Sequence, residues 1–244
     1  MRNKYFTYIK IDDQENRIRT SGVSWSDFYW GIQPKPQNLL ILDGNPLWDL
    51  DEKYDYLYHP ALGFEYVSAD QMEAISHAKV DHTGNFSCID IAQLGDLDHI
   101  TNDELSELLF FSHKVQPLRQ ISIGSLQNRW LYHSHDDDWS AWIYMRQIED
   151  YRNVINYKIK KELQGRKRSI ADLPADIVDK LWEMFMQGAV LDFENSNDSG
   201  VRIYIIGNHL DMDKIHGQLD KHRERHDGVW LEYDTRKKQW KFYL

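Results

Sequence analysis

The sequence predicts an α+β fold, a mainly antiparallel sheet built from hairpins with about four to five helices packed against it. Two runs rich in β-branched and aromatic residues, Arg129 to His135 and Trp139 to Met145, flank the polar turn Asp136-Asp137-Asp138, the pattern of a β-hairpin. Directly after it, Ile148, Tyr151, Ile155, Ile159 and Leu163 advance by 3, 4, 4 and 4 positions, so they share one helical face. The chain then ends on a second hairpin, Val229 to Tyr233 and Lys238 to Leu244, around Asp234-Thr235-Arg236-Lys237. Strands that pair locally, with helices grouped between them, argue against a doubly wound parallel layout.

From the N-terminus, Tyr5 to Ile11 is rich in β-formers and reads as a strand ended by the polar turn Asp12 to Asn16. Trp25 to Ile32 reads as a second, aromatic strand, stopped by Pro34-Lys35-Pro36. Asn38 to Leu42 is a short apolar strand before the turn signal Asp43-Gly44-Asn45-Pro46. The stretch Leu47 to Phe64 is irregular, with Trp48, Tyr54, Tyr56 and Tyr58 set among acids. Ser68 and Gln71 have the spacing of a capping box, and Met72, Ile75 and Val80 would be the buried stripe of the helix it opens.

Phe86 to Ile91 is a strand. Thr101 and Glu104 make a cleaner capping box for a helix carrying Leu105, Leu108, Leu109 and Phe111, which Pro117 closes. Beyond the first hairpin and its helix, Pro174 opens another helix with the stripe Ile177, Val178, Leu181, Trp182, Phe185 and Ala189. Val201 to Ile206 reads as a strand and Asp211 to Arg225 as a short amphipathic helix. No internal repeat emerges. A single domain over residues 1–244 is expected, with lobes 1–120 and 121–244 as the alternative.

Composition bounds the class. Apolar residues are 41% of the chain, with 9 Trp, 14 Tyr and 9 Phe, enough to build a core in 244 residues. The basic start Met1-Arg2-Asn3-Lys4 is followed by no adequate apolar run, which opposes a secretory signal. No stretch approaches the roughly 18 apolar residues that a membrane span needs. A cytoplasmic protein is expected. Cys88 is the one cysteine, so an intrachain disulfide and a thiolate metal cluster are excluded, and its apolar run reads as core.

The net charge of −10 is unevenly placed. Asp43 to Glu107 carries a local net of −13, and Arg152 to Arg168 one of +6. The overall acidity disfavours nucleic acid as a partner. In the basic stretch, Lys158 to Lys161 with Arg166 to Arg168 reads as a solvated helix end. There is no Gly-x-Gly-x-x-Gly fingerprint, phosphate-cradling Gly-Lys-Ser/Thr loop or Gly-x-Ser-x-Gly elbow.

Three constellations could carry chemistry. In Tyr132-His133-Ser134-His135-Asp136-Asp137-Asp138, strand alternation points His133 and His135 the same way, and Asp137 is the in-register third ligand for a divalent transition metal. The competing reading is a strand end followed by a turn of aspartates. Asn208-His209-Leu210-Asp211-Met212-Asp213 with His216 follows a strand, where functional loops are common, yet Asp211 also suits a helix N-cap. Asp192 and Glu194 near Asp198 invite a paired-carboxylate reading for glycoside cleavage.

The first of these resembles the His-x-His-x-Asp-His loop of metallo-β-lactamase-fold hydrolases at His133, His135 and Asp137, and departs from it at Asp138, where that family has His. The resemblance spans six residues, without a repeated αββα layout elsewhere, and no family is assigned from it. It implies metal-dependent hydrolysis as the alternative function. The leading expectation is a binding or accessory protein without catalysis or cofactor, with an unidentified protein or small-molecule partner or a second copy of itself. The aromatic, acidic stretch Trp48 to Tyr66 is its expected interaction surface. A third reading is a carbohydrate- or nucleobase-binding module with stacked aromatic rings.

Overall fold

Strands from both ends of the chain pair side by side in one antiparallel sheet. The computed structural model describes residues 6–43, 57–59, 64–77, 85–113, 123–135, 139–164, 169–194, 200–209 and 211–243. Its strands are β1 (Phe6–Asp12), β2 (Arg17–Ser21), β3 (Asn38–Asp43), β4 (Leu57–His59), β5 (Phe64–Val67), β6 (Phe86–Ile91), β7 (Trp130–His135), β8 (Ser140–Met145), β9 (Ala189–Asp192), β10 (Gly200–Ile205), β11 (Val229–Asp234) and β12 (Gln239–Tyr243). They lie in the order β12-β11-β10-β9-β1-β2-β8-β7-β6-β3-β5-β4. The opening hairpin β1–β2 is thus inserted between β9 and β8, so β2 and β8 form the midline of the sheet.

The α+β class and the antiparallel sheet agree with expectation. Six α-helices are described, more than the four to five expected: α1 (Trp25–Gly31), α2 (Met72–His77), α3 (Asn102–His113), α4 (Tyr151–Leu163), α5 (Ala175–Gln187) and α6 (Met212–Arg225). The extra helix is α1, where a strand was expected. Ser24 accepts from the Asp27 amide at 3.2 Å, and the Asp27 carboxylate accepts from the Ser24 amide at 3.3 Å. This reciprocal cap starts a helix that overrides the β-propensity of Trp25, Phe28 and Tyr29.

Other boundaries also shift. Strands β2, β4, β5 and β9 were not expected, and β4 lies within the stretch Leu47 to Phe64 that reads as irregular. In β2 only Ile18 is strongly apolar, and in β9 Ala189 was read as the end of a helical stripe. Gly188, at φ +88°, ends the register of α5 and places Ala189 on the sheet instead of on the helical stripe. The Ser68 and Gln71 box opens one 3-10 turn, Ala69–Gln71, before α2. Val80 and Pro117 lie outside the described residues. The Thr101–Glu104 box forms as expected, with Glu104 Oε2 accepting from the Thr101 amide at 2.9 Å.

One face of the sheet is covered by α1, α2, α4 and α5. Ile9, Ile18, Ile143 and Trp130 pack there against Trp25, Phe28, Tyr151, Ile155 and Phe185, all fully buried. The expected stripe Ile148, Tyr151, Ile155, Ile159 and Leu163 is buried throughout. Trp25 anchors the aromatic centre, its ring 5.2 Å from those of Phe86 and Tyr132, and its indole N–H donates to the Ile75 carbonyl. Cys88 is buried on this face, as its apolar run suggested.

The other face is covered in two separate places. Toward β3 and β6, Leu40, Ile89 and Leu131 pack with Leu97, Leu108 and Leu126. Toward β10, Phe6, Tyr8, Val190 and Tyr204 pack with Ile215 and Leu219 of α6. Between these two clusters runs the midline of the sheet.

Candidate functional site on the sheet midline

Alternation along a strand sends every second side chain to the same face. Arg17-Ile18-Arg19-Thr20-Ser21 therefore places Arg17, Arg19 and Ser21 on the face away from α1 and α4, with Ile18 in the helix-covered core. Register then builds a row of directly opposed residues across five strands: Lys10, Arg19, Trp142, His133 and Ser87. The flanking rows carry Asp12, Arg17 and Tyr144 on one side, and Tyr8, Ser21 and Ser140 on the other. Two arginines on an interior strand depart from the apolar character usual at such positions.

The two arginines have different partners. Arg17 pairs with Asp12 at 3.0 Å and with Glu15 at 2.9 Å, and its guanidinium lies 4.9 Å from the Trp142 ring. Arg19 has no carboxylate partner among the described residues. Its Nη2 donates to the Tyr8 hydroxyl at 3.1 Å and to Asn208 Oδ1 at 3.2 Å, and the guanidinium rests over the Tyr8 ring at 5.4 Å. Burial pulls its pKa below the ordinary value, partly opposed by Tyr8, yet a guanidinium stays charged throughout the physiological range.

The loop after β10 brings Asn208 to Arg19. The Gly188 carbonyl accepts from the amides of Ile206 and Gly207 at 2.9 and 3.1 Å. Gly188 and Gly207 sit at φ +88° and +90°, a region open to glycine, and a Cβ on Gly188 would lie 2.2 Å from the Gly207 oxygen. Tyr8 completes the clamp, donating to the Gly207 carbonyl at 3.1 Å and accepting from the His209 amide at 3.2 Å. The His209 ring turns away, its Nε2 2.8 Å from the Ile206 oxygen.

Lys10 lies beyond the end of β9 and donates to the carbonyls of Ile11 and Met186, the latter in the last turn of α5, where a cation opposes the helix dipole. On the midline row, both cations are held by neutral groups among the described residues, Lys10 by backbone carbonyls and Arg19 by the side chains of Tyr8 and Asn208.

The expected metal ligands are placed as follows. His133 is buried on β7, opposite Trp142, and its Nδ1 shares a short hydrogen bond with the Ser87 hydroxyl. His135 is two residues further along the same strand, opposite Ser140. Asp137 lies outside the described residues, as do Asp136 and Asp138. No group of three or more His, Cys, Asp or Glu side chains able to hold a metal occurs among the described residues.

In the second constellation, Asp211 caps α6 by accepting from the Asp213 amide at 2.8 Å, and the His216 ring meets Phe6 edge-on at 4.9 Å. Asp192 and Glu194 both bind Arg223, at 2.8 and 2.6 Å, which ties α6 to the sheet; Asp198 lies outside the described residues.

The basic stretch corrects an expectation. Lys158 is not solvated: it is buried against Asp27 and Glu162, while Lys161 also reaches Asp27 and Lys160 pairs with Asp172. Arg166 to Arg168 lie outside the described residues. Most of the stretch Trp48 to Tyr66 also does; within it, the Tyr66 hydroxyl donates to Asn38 Oδ1 at 2.8 Å. Arg19, Tyr8 and Trp142 were not singled out from sequence. The signal that pointed to them is the alternation Arg17-Ile18-Arg19, which on a strand puts two charges on one face.

Comparison with protein-family models, with curated proteins and with solved structures found no match to this chain. No helix of the described residues is long and apolar enough to cross a membrane.

Proposed function

We propose that the protein is a binding protein, not a catalyst, and that it binds through the sheet midline. The observation that carries this reading is Arg19, a half-buried cation on an interior strand, fixed by Tyr8 and Asn208 with no carboxylate partner among the described residues. A partly buried guanidinium gains from pairing with an opposite charge, so a partner that supplies the complement would bind there selectively. The aromatic supply of the chain does not favour stacked-ring recognition, because Trp25, Trp130, Tyr132 and Phe86 are core.

The amide and indole resonances of the full chain, recorded against a library of small polar fragments and short peptides, test the reading. Binders are expected to shift signals of Arg19, Trp142 and the 207–209 loop. Binders confined to other surfaces would overturn it. Stoichiometric metal in tag-free protein, lost in the His133→Ala, His135→Ala double variant, would replace it with a metal-dependent hydrolase that also involves Asp137.

A further inference from the structure

We propose that Arg19 and Asn208 form an oxyanion-binding site, taking a carboxylate or phosphate group of a small ligand. This rests on reading the midline as the binding face, and it names the chemistry of the ligand. Arg19 presents several N–H groups in a rigid fork, which suits planar or tetrahedral oxyanions. Its Nη2 is engaged by Tyr8 and Asn208, and its Nε and Nη1 have no partner among the described residues.

Asn208 adds to the same need. Its Oδ1 accepts from Arg19, which leaves the Nδ2 hydrogens as donors, again without a partner among the described residues. Asn208 is exposed and Arg19 partly so, and a ligand can therefore reach both. The nearest acids in register, at Asp12 and the adjoining turn at Glu15, already bind Arg17. The Lys10–Arg19–Trp142–His133–Ser87 row holds no acid at all. Among the described residues the cluster therefore has a surplus of donors and positive charge, with no anion to accept from them. In a chain of net charge −10, such a patch is local and selects at short range.

The Gly188–Gly207 clamp preorganises the site. It holds Asn208 within 3.2 Å of Arg19 before any ligand arrives, which reduces the ordering cost of binding.

The test is a titration of the full chain with inorganic phosphate and, separately, with acetate at low ionic strength. Arginine Nε–H resonances are followed, with chloride at equal ionic strength as the control. One signal, absent from Arg19→Gln, is expected to shift saturably with at least one anion and not with chloride. Affinity is expected to fall about tenfold or more in Arg19→Gln and severalfold in Asn208→Ala, and to hold in Arg17→Gln. The preferred anion assigns the ligand as a phosphate or a carboxylate.

The inference is overturned if neither anion shifts the Arg19 signal saturably, or if Arg17→Gln and Arg19→Gln weaken binding equally. Should Arg19→Gln fail to fold, Asn208→Ala, at an exposed loop position, decides between the same two results. Fragments that still map to the midline while neither anion binds would sink this inference and leave the binding-face reading standing.

Discussion

The ammonium of Lys158 on α4 lies 2.8 Å from the carboxylate of Asp27 on α1, and both side chains are withdrawn from water. Asp27 also accepts from the Ser24 amide, so one carboxylate caps α1 and joins it to α4. Burial alone would raise the Asp27 pKa, but Lys158 and Lys161 more than offset it and hold it below the ordinary value of 3.8. Burial likewise opposes the charge on Lys158, and Asp27 and Glu162 overcome it.

Replacing Lys158 with Met should destabilise the protein by about 3 kcal/mol, because it leaves Asp27 buried with the more exposed Lys161 as its remaining lysine partner. Urea unfolding at neutral pH measures this. A change below about 0.5 kcal/mol would mean that the pair adds nothing net.

The same pair predicts a pH dependence. Asp27 has a depressed pKa in the folded state, so its contribution is complete above the ordinary carboxylate value and is lost as pH falls through the lower, folded one. Lys158 has a raised pKa, so its contribution holds at neutral pH and fades only as pH rises through a value above the ordinary 10.5. The stability gap between wild type and Lys158→Met should therefore shrink as pH falls from neutrality through the range in which the buried Asp27 takes up its proton, first in the variant and then in wild type. Unfolding curves across the acid range check it.

Gly31 lets α1 pack close against α4. A Cβ there would lie 2.6 Å from the Val154 Cα, a backbone atom that cannot step aside. Gly31→Ala should cost about 1–3 kcal/mol through overpacking. Gly217→Ala, in exposed α6 with nothing within 4 Å of the new methyl, should instead stabilise by about 0.5–1 kcal/mol. Thermal melts of both variants compare the two signs directly.

Gly188→Ala combines a positive φ with a 2.2 Å clash against the Gly207 oxygen. It should destabilise by on the order of 3 kcal/mol and release the 207–209 loop. Faster amide exchange at His209 would report the release. An unchanged His209 amide would show that Tyr8 holds the loop by itself.

Tyr8→Phe removes a hydroxyl with three partners: the Gly207 carbonyl, the His209 amide and Arg19. A loss of about 1–3 kcal/mol is expected. Solvent exchange at the Arg19 guanidinium should quicken, since its remaining described bond is to Asn208. Slow exchange retained in Tyr8→Phe would refute this account of how Arg19 is positioned.

Sequence periodicity located the central hairpin β7–β8, α4, α5, the C-terminal hairpin and the caps at Thr101 and Asp211. Each is decided by neighbours in the chain. The Trp25 to Ile32 run was misjudged because its aromatics favour a strand, while the deciding contact is the short reciprocal bond between Ser24 and Asp27. Strands β2 and β9 escaped notice because each is short and defined by its partners: Arg17 to Ser21 by β1 and β8, Ala189 to Asp192 by β1 and β10.

The candidate site was hidden for a related reason. Tyr8 and Asn208 are separated by most of the chain and meet at Arg19 solely because β9 pairs with both β1 and β10. The alternating charges of β2 could have flagged a polar face, but not which loop would lie over it. Lys158 shows the reverse error, since a lysine that reads as solvated is buried once α1 packs across it.

By itself, the sequence determined the α+β class, the apolar stripes of α4 and α5 and the local turns, because backbone propensity, capping and side-chain period act over a few residues. Only the tertiary structure decided that β1–β2 lies between β9 and β8, and therefore that Arg19 shares one patch with Tyr8, Trp142 and Asn208. Strand neighbours are chosen by burial and register across the whole chain, and no local pattern encodes that choice.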